Sequence, residues 1–294
     1  MKLLIATDLS TNSRQMMKSI AARPWPARST ACILHVVDFS PYTLGSELLK
    51  VAKRTSEDTM KIVAKDLESL PLKIQTDVLV GYPRNAIPKY AKSWGADLIV
   101  VGSHGGALGH LLLGSVAHAV LRKAPCSVEV VRARPQAAAP GAPMKILLAI
   151  DGSGFSKAAV RSVAKRPWPS GTSFKLLSVV RPFMPTMDVA APYFYIDQSA
   201  QLADTIDREA RTRAVDAVVE AQALLTRAGI SPVDGGEPPL GDPRTLILNE
   251  AKQWGADLIV VGSHGWRGLD RIMLGSVSES VAMHAPCSVE VIRS

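Results

Sequence analysis

"AKSWGADLIVVGSHG" (residues 91–105) recurs as "AKQWGADLIVVGSHG" (251–265), with a single substitution between the two. The run "DLIVVG" inside it is apolar on both faces, as a strand covered by helices on two sides must be. Two further segments repeat in the same order: "RPWP" at 23 and 166, and "APCSVEV" at 124 and 285. Self-similarity of this kind marks a duplicated unit. The join, "RARPQAAAPGAP" (132–143), is rich in Ala and Pro and has no periodicity, as expected of an extended linker. The reading is therefore domain 1 at 1–134, a linker at 135–143 with its midpoint near residue 138, and domain 2 at 144–294.

On either side of that strand, short β-rich apolar runs alternate with longer helical patterns, which predicts a parallel sheet built from βαβ units. Strands are expected near 2–7, 29–37, 73–80, 97–102 and 126–132, and again near 144–150, 172–180, 230–236, 257–262 and 287–293. The copies differ most at 181–211. Its Met, Pro and aromatic residues read as a loop or lid leading into a helix, with a role in packing or in ligand contact.

Composition bounds the function. The chain has 294 residues, 47% of them hydrophobic and 20% charged, the balance of a folded water-soluble protein of about two domains. No apolar run approaches the roughly 18 residues of a membrane span, and the N-terminus meets Asp8 before a signal-peptide core could form, so a cytoplasmic chain without membrane contact is expected. Three cysteines argue against a disulfide framework, and all read as small buried hydrophobes. The net charge of +8 suits a polyanionic partner, but Lys and Arg are scattered and aromatics are only 5%, which argues against nucleic acid.

Candidate chemistry gathers where strands end. In a doubly wound sheet, ligands sit outside the carboxyl ends of the strands, at the reversal of strand order. The first strand of each copy ends in an acid, Asp8 in "ATDLS" and Asp151 in "AIDGS". The fourth ends in a glycine stretch, "GSHGGALGHLLLGS" (102–115) or "GSHGWRGLDRIMLGS" (262–276), whose last "GS" opens the final helix. Glycines allow positive φ and close approach of the backbone to a ligand, and free N–H groups at a helix start favour an anion. Gly262, Gly265, Gly275 and Ser276 could thus wrap a polyphosphate. The other reading is a turn, with Ser115 and Ser276 as helix N-caps.

This ordered set, "AIDGS", "GDPRTLI", "ADLIVVGSHG", nine residues, then "GSVSESV" and "APCSVEVI", resembles a universal stress protein domain, whose nucleotide-binding members carry G-x2-G-x9-G-[S/T]. The resemblance covers nearly the whole chain, twice. It implies two tandem doubly wound five-stranded parallel-sheet α/β domains of the adenine nucleotide alpha hydrolase-like type, with strand order 3-2-1-4-5, and ATP as ligand. By that analogy Asp151 lies near the adenosine, Val179 meets the adenine edge, and Gly262, Gly265, Gly275, Ser276 and Val277 hold ribose and phosphates. The matching first-copy residues are Asp8, Val36, Gly102, Gly105, Gly114, Ser115 and Val116. Mg2+ would arrive with the nucleotide, bound mainly through phosphates.

The first copy departs from the pattern. It has eight residues where the family has nine, Leu9 where the second has Gly152, and Gly106 and His110 where the second has Arg267 and Arg271. Tighter binding is therefore expected in the second copy. His104 and His264 read as parts of the turn. No nucleophile stands beside an identifiable base, and no Walker-type G-x4-G-K-[ST] supplies a lysine for a transferring phosphate, so ATP hydrolysis is expected to be at most slow and incidental. The expected role is a nucleotide-dependent stress-response regulator; the alternative is a nucleotide-independent adaptor. An adenylating ligase of the wider superfamily is a third reading, but its usual S-G-G-x-D-S or H-x-G-H signature does not occur in this chain. "CSVEVV" and "CSVEVI" alternate as edge strands, which invite pairing. In the family they pair antiparallel across a two-fold axis, implying an intrachain pseudo-dimer, with association of two chains also open.

Overall fold

The computed structural model describes residues 1–38, 46–65, 67, 72–103, 113–132, 139–182, 196–265 and 274–293. The first half contains β1 (Lys2–Thr7), α1 (Thr11–Ala21), β2 (Thr30–Val37), α2 (Ser46–Lys65), β3 (Lys73–Val80), α3 (Pro83–Trp94), β4 (Leu98–Gly102), α4 (Ser115–Lys123) and β5 (Ser127–Val131). The second contains β6 (Lys145–Ile150), α5 (Gly154–Ala164), β7 (Ser173–Ser178), α6 (Ile196–Arg227), β8 (Val233–Gly235), α7 (Pro243–Trp254), β9 (Leu258–Gly262), α8 (Ser276–His284) and β10 (Ser288–Ile292). All strands join one sheet in the order β3-β2-β1-β4-β5-β10-β9-β6-β7-β8. Each half is parallel within itself and ordered 3-2-1-4-5, so the order reverses between β1 and β4 and between β6 and β9.

Local chemistry sets the element ends. Helices α3 and α7 open on a proline, whose missing N–H costs nothing in the first turn. They close on Gly95 and Gly255, at φ 73° and 70°, the left-handed stop that glycine adopts without a Cβ penalty. Ser10 and Ser153 cap α1 and α5 by accepting from Ser13 N and Ser156 N. Strand β8 is shorter than the expected 230–236. Pro232 immediately precedes it and has no N–H to give a ladder, and β8 ends at Gly235 with a second glycine following. Strand β7 stops at Ser178, and Val180 makes only an isolated bridge to Leu240.

Alternation along the strands divides the core between the two sheet faces. Leu4, Cys32, Ile99 and Val128 share one apolar cluster with Leu147, Ile259 and Val289, so that face has a single core running through both halves. On the other face, Leu3, Ile5 and Val100 pack with Met16 and Met60, while Ile146, Leu148 and Val260 pack with Val163 and Val218 in a separate cluster.

The halves meet where β5 pairs antiparallel with β10, Val130 opposite Val289 and Glu129 opposite Glu290. These strands are therefore not exposed edges; the edges are β3 and β8. The "E" of each "CSVEV" is also buried, at 2% and 1% exposure. A buried carboxylate needs a partner, and the repeated "RPWP" supplies it. Arg23 meets Glu129 at 2.5 Å and Arg166 meets Glu290 at 2.8 Å. Each arginine lies over the tryptophan two residues on, at 4.8 and 4.9 Å from the ring centroids. Those indoles donate to Ile20 O and Val163 O near the ends of α1 and α5.

All three cysteines are thiols, Cys32 and Cys287 buried and Cys126 half-buried. Burial pushes Cys126 up to about 11, with Asp97 adding to the shift. Since the thiolate is the nucleophile, alkylation of Cys126 by iodoacetamide at pH 8 should run about 100-fold slower in the folded chain than for a thiol of ordinary pKa. Mass mapping of time points with and without urea checks this.

Candidate functional site

The site is built at the carboxyl ends of three neighbouring strands. Ile150 pairs with Ser178 and Ala149 with Val261. Asp151 and Val179 are therefore the next residues out on adjacent strands, and Gly262 closes β9 alongside them. In the first half Thr7 pairs with His35 and Ala6 with Val101, which places Asp8, Val36 and Gly102 in the same relation.

Glycine at 262, 265 and 275 answers a steric demand at each position. A Cβ on Gly262 would lie 2.8 Å from the Phe155 carbonyl carbon and 2.9 Å from Ser156 N, where α5 starts. One on Gly265 would lie 2.6 Å from Asp151 Oδ2, so the glycine loop and the acid at the end of β6 are in direct approach. One on Gly275 would lie 2.9 Å from Ser263 O, the atom that accepts the Gly275 N–H at 2.8 Å. Ser278 Oγ donates to Gly262 O at 2.6 Å, tying the first turn of α8 back to the end of β9. Gly262→Ala should accordingly destabilise the chain by about 1–3 kcal/mol through overpacking against backbone that cannot move freely, read as a lowered urea midpoint without ligand.

The final helices begin as expected, but the cap is different. Gly114 and Gly275 are the N-caps, without a side-chain cap hydrogen bond, and Ser115 and Ser276 are the first helical residues, both exposed. Backbone N–H groups at this end of α8 carry the positive pole of the helix dipole. Val277 and Val116 are half-buried and pack on the shared core, as does Val179. Val36 is buried at 7% exposure.

Both acids are bonded within their own turns. Asp151 Oδ1 accepts from Ser153 N at 3.0 Å. Asp8 Oδ1 accepts from Ser10 N at 3.0 Å, Ser10 Oγ at 2.6 Å and the Ser13 hydroxyl. The residue that follows differs: Gly152 is at φ 78° and Leu9 at φ 63°, the left-handed region that a branched side chain enters only with strain.

In the first half, a cavity of about 440 Å³ lies against the start of α4, with Ser115 and Val116 in its wall beside Asp38, Arg84, Asn85 and Lys123. Asp8, Val36 and Gly102 are not among its wall residues. Gly105 falls outside the described residues, as do His104, Gly106, His110, Arg267, Arg271 and the central parts of the linker and of the 181–211 segment. His264 is buried at 7% exposure, its Nδ1 3.1 Å from Ser263 Oγ and its ring 5.0 Å from that of Phe155. Burial pushes its pKa down, Arg293 adding to the effect, so it is a neutral packed side chain near pH 7. Among the described residues no group of His, Cys, Asp and Glu could hold a metal ion, and no helix is long and apolar enough to cross a membrane.

A universal stress protein of Mycolicibacterium smegmatis is 32% identical over 250 residues, covering 82% of this chain and 76% of the relative. One from Methanocaldococcus jannaschii is 38% identical over 143 residues, 45% of this chain and 81% of its own. The solved structure of a universal stress protein from Archaeoglobus fulgidus superposes with a TM-score of 0.65 at 20% identity, over 99% of this chain and 96% of that one. A sequence model of the universal stress protein family matches residues 1–132 and again 143–293. The chain belongs to the universal stress protein family, with one such domain in each half.

Proposed function

We propose that this chain binds an adenine nucleotide, chiefly in its second half, and acts as a nucleotide-dependent regulator in the stress response, through conformation and not turnover. The observation that carries this reading is the approach of Asp151 to Gly265 beside a final helix whose N-cap, Gly275, leaves no room for a side chain. Phosphates would lie against Gly265, Gly275, Ser276 and Val277, with Gly262 shaping the floor, and the adenosine against Asp151 and Val179. Mg2+ would enter on the phosphates. Bound nucleotide supplies charge and added stability to the folded form, since a ligand that binds only the native state stabilises it by mass action.

The preference for the second half rests on the turn that follows each acid: Leu9 occupies a left-handed position that Gly152 fills without strain. The first half would then serve mainly as the structural partner, its cavity beside Ser115 and Arg84 offering a weaker anion site. Calorimetric titration of Mg-ATP into the intact chain should count one tight site. No heat and no thermal shift at saturating Mg-ATP would move the protein to the nucleotide-independent adaptor reading.

A further inference from the structure

Among the described residues, contacts across the seam between the halves are of two kinds. One kind is reciprocal. Arg132 N donates to Ser288 Oγ at 3.1 Å, and its guanidinium donates to the carbonyls of Ala282 at 2.8 Å and Met283 at 3.0 Å, near the end of α8. Arg293 N donates to Ser127 Oγ at 3.2 Å, and its guanidinium donates to the carbonyls of Leu121 at 2.9 Å and Arg122 at 3.3 Å, near the end of α4. Each arginine thus sits on the negative pole of the other half's final helix. The same residues occupy both sides, so these contacts would form equally well between two first halves or two second halves.

Among the described residues, the contacts to Glu279 are not reciprocal. Aligning "GSVAHAV" (114–120) with "GSVSESV" (275–281) sets His118 and Glu279 at equivalent places. Across the seam these two face each other, Nε2 to Oε1 at 2.9 Å, with Arg122 Nε 4.0 Å from the same carboxylate. A carboxylate only accepts, so the imidazole is the donor. The second half has Met283 where the first has Arg122. Under the same two-fold arrangement, two first halves would bring His118 against His118 with two Arg122 nearby. Two second halves would bring Glu279 against Glu279.

We propose that His118 and Arg122 against Glu279 form a pairing code that makes the seam accept unlike halves and reject like ones, so that the partner of a first half is a second half. An attractive element in one pairing and a repulsive one in both competitors is how specificity is ordinarily encoded. The linker then supplies the chain's own second half at high effective concentration.

The test places the like-with-like side chains in the intact chain. His118→Glu sets two carboxylates face to face, as two second halves would, with Arg122 still beside them, and Glu279→His sets two imidazoles face to face beside Arg122; the exchange variant carries both changes. The two side chains are 35% and 29% exposed, so all three variants should fold. In urea unfolding, each single change is expected to lower the folding equilibrium constant about two- to five-fold. The exchange variant, with an imidazole donor again opposite a carboxylate acceptor, should recover more than half of that loss on a logarithmic scale. Single variants as stable as the parent, or an exchange variant whose loss is the product of the two single losses, would overturn the code.

Discussion

Arg166→Met is expected to destabilise the chain by about 3–5 kcal/mol, the penalty for leaving a buried carboxylate without its counter-charge. Glu290 is 1% exposed and meets Arg166 at 2.8 Å. Its opposite number in the antiparallel register is Glu129, so the abandoned carboxylate would face a second one. Methionine keeps a long apolar side chain at the position but removes the guanidinium that lies 4.9 Å from the Trp168 ring centroid, so the loss includes that cation–π contact. Arg166→Met combined with Glu290→Leu should recover most of the loss, because a buried ion pair adds little over a well-packed apolar pair once both members are gone. Urea unfolding of the two variants and the parent decides this. A loss below about 1 kcal/mol for the single change would mean that water reaches Glu290 at the seam.

The same seam predicts a pH dependence. Burial pushes the Glu129 carboxyl above its ordinary value of 4.5, opposed by Arg23 and reinforced by Glu290. Between the ordinary and the raised value the folded state holds more protons than the unfolded one, so stability falls as pH rises through that window. Glu129 contributes fully below the ordinary glutamate range and loses that contribution as pH climbs through its folded value. Glu129→Gln should flatten this slope in urea midpoints measured across the acid range.

Most of the fold was legible because its strands are apolar on both faces and the pattern occurs twice. "DLIVVG" and "ILHVV" admit little else once helical patterns flank them, and the β4 and β9 limits fall within a residue of the expected ones. Burial of Glu129 and Glu290 was not legible. "SVEV" has the alternation of a half-exposed strand, and the arginines that neutralise it lie 106 and 124 positions away. The available signal was the joint recurrence of "RPWP" and "CSVEV", whose chemistry appears only when the topology brings α1 and α5 against the seam strands. The serine cap reading of α4 and α8 failed for a local reason: Gly275 N bonds to Ser263 O, so the chain enters the helix through a glycine packed against backbone. The acid-to-glycine approach at Asp151 and Gly265 depends on two loops from different strands. Sequence placed both at strand ends and could not set their separation.

Ser276→Asp should lower Mg-ATP affinity on the order of 10- to 100-fold, about 1.4–2.7 kcal/mol, while leaving the fold as stable as before or slightly more so. Glycine substitutions in the loop cannot separate these effects. A Cβ at 275 would meet the Ser263 carbonyl oxygen at 2.9 Å and one at 265 would meet the Asp151 carboxylate, so a loss of binding there would follow from displaced backbone or a displaced acid as readily as from a lost phosphate contact. Ser276 is exposed and opens α8, where a carboxylate suits the helix dipole by about 0.3–1 kcal/mol. That carboxylate would compete with a polyphosphate for the same N–H groups and repel it. Ser115→Asp makes the equivalent change at the start of α4 and should leave the tight site intact. Thermal unfolding without ligand, beside calorimetry with Mg-ATP, reads both quantities on each variant. Unchanged affinity in Ser276→Asp would mean that the start of α8 does not hold phosphates and that the glycine stretch is only a tightly packed turn. Loss in Ser115→Asp instead would transfer the site to the first half, where Arg84 and Lys123 already line a cavity against α4.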